Sequence, residues 1–249
     1  AGHAFSRWWN RYHGTHPEYF ALHPDGTRSE WPGPRTAKLC QSNPEVWEQW
    51  IQQVEEKMDH DPNRKVFSIS PNDASASGIC TCEDCRSWDA KDAALCLYNW
   101  RTMGQEYVVM SDRYQTFATR LSERLKERFP DKDYQMLLHA YGGASRTPPT
   151  NAAPLDNLII SYVGRFPWGP QERREADKER IRDWMRKGAD KLVFRPNVSR
   201  QPGLPEVFLK RSFKDFDFLA RQNYVGIFID MIWEHWATCG PQYYLMAKL

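Results

Sequence analysis

Five short apolar runs alternate with longer amphipathic segments, and this alternation constrains the fold more than any other feature of the chain. The runs are KVFSIS (65–70), YQMLLHAY (134–141), NLIISYVG (157–164), KLVFRPNV (191–198) and YVGIFIDMIW (224–233). They are rich in β-branched or aromatic residues and bounded by turn residues, the pattern of strands buried on both faces. Between them, SNPEVWEQWIQQVEEKM carries Val46, Trp47, Trp50, Ile51, Val54 and Met58 at helical spacing. Ser42 or Asn43 serves as its cap, with Pro44 in the first turn and Glu45 near the positive end of the dipole. SDRYQTFATRLSERLKERFP places Phe117, Leu121, Leu125 and Phe129 on one stripe and stops at Pro130. PQERREADKERIRDWMRKGADK is mostly charged, with Ile181, Trp184 and Met185 as its apolar stripe. Its charges alternate in sign, which predicts a solvated outer face. Strand–helix–strand alternation at intervals of roughly thirty residues predicts an α/β fold with parallel strands.

One segment breaks the alternation. GGASRTPPTNAAPLD holds Pro148, Pro149 and Pro154 and no helical period, so a long loop is expected there, and long loops in regular α/β domains are usually functional. Five strands are too few to close an eight-stranded barrel. The expectation is either an open sheet or the later part of a (β/α)8 TIM-barrel-like domain, about strands 4 to 8. The abrupt start of the chain favours the second, as a single domain over residues 1–249 with early strands missing.

Composition narrows the partners. The formal charge of +2 is nearly balanced, and Lys and Arg are interspersed with Asp and Glu, so nucleic acid is not an expected partner. No stretch of about 18 uninterrupted apolar residues occurs, so membrane insertion is not expected. Eleven tryptophans stand out. They form either an aromatic core or flat faces that stack on the apolar C–H side of sugar rings.

In parallel α/β folds the reactive groups gather where strands end. The first run is followed by Asn72 and Asp73; the second ends in His139 and Tyr141; the third contains Tyr162 and leads to Arg165; the fourth exits through Arg195 and Asn197; the last carries Asp230, Trp233 and Glu234. The set reads as a polar pocket with aromatic walls. His3, Trp8 and Trp9 near the start add hydrogen-bonding and stacking groups, with no established metal-ligand spacing among the nearby histidines. Two carboxylates on different strand ends suit glycosidic bond cleavage, in which one donates a proton to the leaving oxygen and the other stabilises or traps the oxocarbenium-like centre. Asp73 and Glu234 are the expected pair, with Asp230 as competitor. No G-x-S-x-G elbow, Walker loop or G-x-G-x-x-G occurs, so serine hydrolase, nucleotide hydrolase and dinucleotide oxidoreductase chemistry lack support.

CTCEDC gives Cys80, Cys82 and Cys85 as C-x-C-x2-C, with Cys40, Cys96 and Cys239 elsewhere. Three clustered thiols and a distant fourth could bind structural zinc. The alternative is a disulfide staple involving Cys40 or Cys96. Either way the cluster is expected to hold the loop that follows Asp73.

HPEYFAL…GTR, LCQSNPEV, SISPNDASASGICTCEDC and HWATCGPQYYLMAKL together resemble the bacterial family catalogued as domain of unknown function 4838. Some of its members are grouped as glycoside hydrolase family 163, endo-acting β-N-acetylglucosaminidases. The resemblance implies an eight-stranded α/β barrel, a secreted, periplasmic or cell-surface location, a carbohydrate substrate and no organic cofactor. It also implies use of the substrate's 2-acetamido group as nucleophile. The adjacent Asp-Glu pair of the family 20 β-hexosaminidases is replaced here by Asn72-Asp73. The competing expectations are a non-catalytic carbohydrate-binding protein on a degenerate barrel and a metal-stabilised scaffold domain.

Overall fold

The computed structural model describes residues 2–73, 77–92, 95–97, 106–197, 208–222, 224–229 and 236–248. A five-stranded parallel sheet forms its centre, in the order β1 (Val66–Ser68), β4 (Gln135–Ala140), β5 (Leu158–Gly164), β6 (Leu192–Pro196), β7 (Tyr224–Ile227). The fold class is therefore mixed α/β, as the alternation of runs predicts. β2 (Leu95–Leu97) and β3 (Glu106–Val108) form a separate antiparallel pair inserted between β1 and β4. Phe67 lies opposite Met136, Ile160 opposite Leu192, and Phe194 opposite Ile227. Each strand of the sheet is added beside its predecessor, so the order never reverses.

Helix α2 (Pro44–His60) starts where the sequence places it: the Asn43 side chain accepts from the Glu45 N–H at 3.0 Å, which satisfies one of the free donors of the first turn. Its buried residues Val46, Trp50 and Val54 share one core with Phe117, Leu121 and Leu125 of α4 (Ser111–Arg128) and with the sheet residues Phe67, Leu138, Ile160 and Phe194. That core extends from Phe5 to Met246. Besides these, the chain forms α1 (Trp8–Tyr12), α3 (Glu83–Ser87), α5 (Gly142–Ser145), α6 (Gln171–Arg186), α7 (Leu209–Ala220) and α8 (Trp236–Met246). Among the described residues, no helix is long and apolar enough to cross a membrane.

Two expectations are corrected. The charged helix α6 is not simply a solvated face: Arg174, Asp177 and Lys178 are buried. Lys178 and Arg174 approach the fully buried Asp215 of α7 at 2.9 and 3.4 Å, and Asp177 turns inward to the sheet. The pairing is between helices distant in sequence, which sign alternation within one helix does not reveal. The proline-rich connection from β4 to β5 is a loop over 146–157 as expected but opens with the short helix α5 (Gly142–Ser145), and the loop is pinned along much of its course. The Asp112 carboxylate accepts from Thr150 and Asn151 N–H at 2.8 Å each, and Trp184 and Lys187 of the α6 region donate to the carbonyls of Arg146 and Thr150. Prolines remove the donors a helix would need, so neighbouring side chains satisfy the backbone instead.

Candidate functional site

The carboxyl edge of the sheet brings together groups from three strand exits and the N-terminal segment. After β1, the buried Asn72 donates through Nδ2 to the carbonyls of Ala37 (2.7 Å) and Phe5 (3.1 Å). The buried Lys38 ammonium donates to the carbonyls of both Asn72 and Asp73, fixing the peptide that carries the exposed Asp73 side chain. Burial pulls the Lys38 pKa down to about 7, against the opposing pull of the Asp73 charge.

At the end of β4, His139 is 3% exposed, and its backbone N–H donates to Ser70 Oγ at 3.0 Å. Neither of its ring nitrogens meets a hydrogen-bond partner among the described residues. Burial first, then the charges of Arg195 and His3, lower its pKa to about 3, so the ring is neutral. His3 packs edge to face against it, with centroids 5.8 Å apart. His3 Nδ1 lies 2.5 Å from the Pro71 carbonyl oxygen, so it carries a proton and donates. Burial lowers the His3 pKa as well, opposed by that hydrogen bond and by Asp73.

Tyr141, one residue past β4, is raised by burial and by the Asp73 charge, while a hydrogen bond with the Asn197 side chain works the other way. Arg195 of β6 acts electrostatically on His3, His139 and Tyr141 and lies 5.9 Å from the Phe228 ring. His3, Asn72, His139, Tyr141 and Ser145 line a cavity of about 20 Å³. Among the described residues that volume admits roughly one water molecule, so this part of the site is a hydrogen-bonding recess.

Thus His3, Asn72, Asp73, His139, Tyr141, Arg195 and Asn197 are brought together. Tyr162 is not: it is fully buried, and its hydroxyl donates to Asp177 Oδ1 at 2.8 Å on the helix-covered side. Trp8 is a core residue, 2% exposed and edge-on to Phe5, so it offers no face to a ligand. Trp9 stacks on His13 with centroids 5.0 Å apart and meets Phe20 edge-on. Asp230, Trp233 and Glu234 lie outside the described residues. Lys38 is the residue that sequence reasoning missed. Its signal is a single cation inside the otherwise apolar Ala37–Cys40 segment, where burial demands fixed acceptors.

The thiols form a second centre. Cys40, Cys80, Cys82 and Cys85 place their sulfurs within 4.8 Å of one another, a set that could hold a metal ion. Cys80–Cys82, Cys40–Cys82 and Cys40–Cys85 are 3.4, 3.7 and 4.0 Å apart. A disulfide needs about 2.05 Å, and these cysteines are free. Hydrogen bonds from Cys80 and Cys85 hold the Cys40 thiol below its ordinary range, and the same contact with Cys40 pushes Cys80 up. Cys239 is buried in α8 and is not part of the set; the Cys96 side chain lies outside the described residues.

A family model described as Domain of unknown function (DUF4838) matches residues 1–249. No curated protein and no solved structure matches the chain.

Proposed function

We propose that this chain, which belongs to the DUF4838 family, is a glycoside hydrolase acting on complex glycans or polysaccharides. The observation that carries this reading is the convergence of groups from the exits of β1, β4 and β6: Asn72, His139 and Tyr141 line one recess, and Asp73, Arg195 and Asn197 act on its groups. The recess offers neutral donors and acceptors suited to sugar hydroxyls or an acetamido group, and Asp73 stands exposed beside it. On this reading the monotonic strand order belongs to an arc of a (β/α)8 barrel, whose carboxyl rim is where such enzymes work.

Asp73 and Glu234 are the proposed carboxylate pair, with Asp230 as alternate. A separation of about 5 Å would give double displacement and about 6.5–9.5 Å inversion. Lys38 holds the Asp73 peptide in place, and His139 offers a hydrogen bond without carrying charge. Kinship to glycoside hydrolase family 163 and cleavage of β-N-acetylhexosaminides belong to the proposal, as does a secreted, periplasmic or surface location. Zinc is the ion proposed for the four thiols, because a closed set of soft sulfur ligands selects it.

Product release from a panel of polysaccharides and N-glycans tests the reading. Asp73→Asn and Glu234→Gln are each expected to reduce cleavage by about 10²–10⁴-fold while glycan binding survives. Near-normal turnover in both variants overturns the assignment of Asp73 and Glu234 as the pair. Binding without any product release from the wild-type protein would favour a non-catalytic carbohydrate-binding role instead.

A further inference from the structure

The segment containing Cys80 to Cys85 has little apolar surface with which to hold itself down. The small cluster that it joins comprises Ala21, Cys40, Cys80 and Cys85, with Leu22 and Cys82 at its margin. Ile79 and Trp88 on either side pack against the main core, and between them hydrogen bonds position the loop. Thr81 N–H and Oγ both donate to the Leu22 carbonyl, at 2.9 and 2.8 Å. Gly78 has φ +70° and approaches Trp31 so closely that a Cβ would lie 2.6 Å from its carbonyl oxygen.

The arrangement around the thiols is that of a metal shell. Tetrahedral zinc with Zn–S of about 2.3 Å sets neighbouring sulfurs about 3.8 Å apart; three of the pairs lie at 3.4–4.0 Å, around that value, and all four sulfurs lie within 4.8 Å of one another. Backbone N–H groups point at the sulfurs: Leu22 to Cys80 at 3.3 Å, Ser42 to Cys85 at 3.4 Å, and Cys85 to Cys82 at 3.4 Å. The Ser42 hydroxyl lies 3.1 Å from Cys85 Sγ. These are second-layer donors that stabilise thiolates. The buried Arg113, paired with Asp89, donates to the Cys80 carbonyl at 2.8 Å and ties the loop to α4.

We propose that Cys40, Cys80, Cys82 and Cys85 bind one zinc ion as a tetrathiolate, and that this ion clamps the loop behind Asp73 to the segment carrying Lys38. Binding displaces the thiol protons to solvent. Cys40 lies two residues beyond Lys38, whose ammonium holds the Asn72 and Asp73 carbonyls. Lys38, Asn72, Cys80 and Arg113 line one shared cavity. The metal thus secures both ends of the connection around Asp73; its consequence for catalysis rests on reading Asn72-Asp73 as the working edge.

Metal analysis of the purified full chain is expected to give about one zinc per chain, with all six cysteines titrating as thiols after denaturation with chelator. Cys40→Ser and Cys82→Ser should lose the zinc, and Cys239→Ala should keep it. Chelation should open the 77–92 segment to limited proteolysis. Cobalt substitution of the wild-type protein, which needs no variant to fold, should give the absorption of a tetrahedral thiolate site. A metal-free protein with fewer than six titratable thiols, zinc retained in Cys40→Ser, or absent cobalt–thiolate bands would overturn the proposal. Asp73→Asn should retain zinc, so full glycan cleavage by that variant would remove Asp73 from the catalytic pair and leave the metal site standing.

Discussion

His139 packs edge to face against His3, with ring centroids 5.8 Å apart and its own two nitrogens without hydrogen-bond partners among the described residues. Its pKa falls from 6.5 to about 3, so the unfolded chain takes up a proton over a range where the folded chain refuses it. Stability from this residue is therefore complete above pH 6.5 and lost as pH falls, at about 1.4 kcal/mol per unit for a fully buried group. Urea unfolding should show wild-type stability declining between pH 6.5 and 5, with a shallower slope in His139→Gln. Equal slopes would show that the ring is solvated or paired.

Tyr162 points to the helix layer, where Asp177 accepts from its hydroxyl and also from the Arg165 N–H at 2.9 Å. Tyr162→Phe should cost about 1.5–3 kcal/mol, the range for a buried hydrogen bond to a charged group. Glycan binding by the folded variant should be unchanged. A specific loss of binding without loss of stability would return Tyr162 to the pocket.

Trp8 and Trp9 separate the core from the stacking reading of the tryptophans. Trp8→Ala should lower stability by about 3–5 kcal/mol, as for other buried aromatic truncations. Trp9→Ala should cost less than about 2 kcal/mol, since part of its ring is already in water. Thermal melts of the two variants make the comparison directly.

Asp112 is the anchor of the proline-rich connection. Asp112→Ala leaves the Thr150 and Asn151 N–H groups without their carboxylate and should cost about 3 kcal/mol. The same variant should become cleavable within 146–157. An uncut loop at unchanged stability would mean that its other ties suffice.

The five strands of the parallel sheet and the start of α2 were legible because buried strands and helix starts leave local patterns, whereas the short antiparallel pair β2 and β3 was not read from the sequence. Most of the rim residues were legible for a related reason: parallel strands all point one way, so the residues just past each run land on one edge. Local pattern fails where the partner is remote. Lys38 and Asn72 are 34 positions apart, and nothing in either segment announces the other. Cys40 could not be chosen over Cys96 or Cys239 as the fourth thiol, because the choice is made by the antiparallel bridge Phe20–Leu39 and the bonds that draw 19–22 to 38–40. Trp8 and Trp9 adjoin in sequence, but one helical step turns them to different surroundings. Helix α7 carried a readable stripe through Ser212, Asp215, Phe216 and Leu219, disguised by a buried aspartate at a core position.

The unreversed strand order gives the rim an address system. Sectors contributed after β1, β4 and β6 follow one another in space as they do along the chain. A change in the length or composition of one connection can alter a single sector of the recess without rethreading its neighbours. New specificity in such a protein can therefore come from replacing one segment at a time, and an exchange of 142–157 must keep the ties to Asp112, Trp184 and Lys187 that hold it.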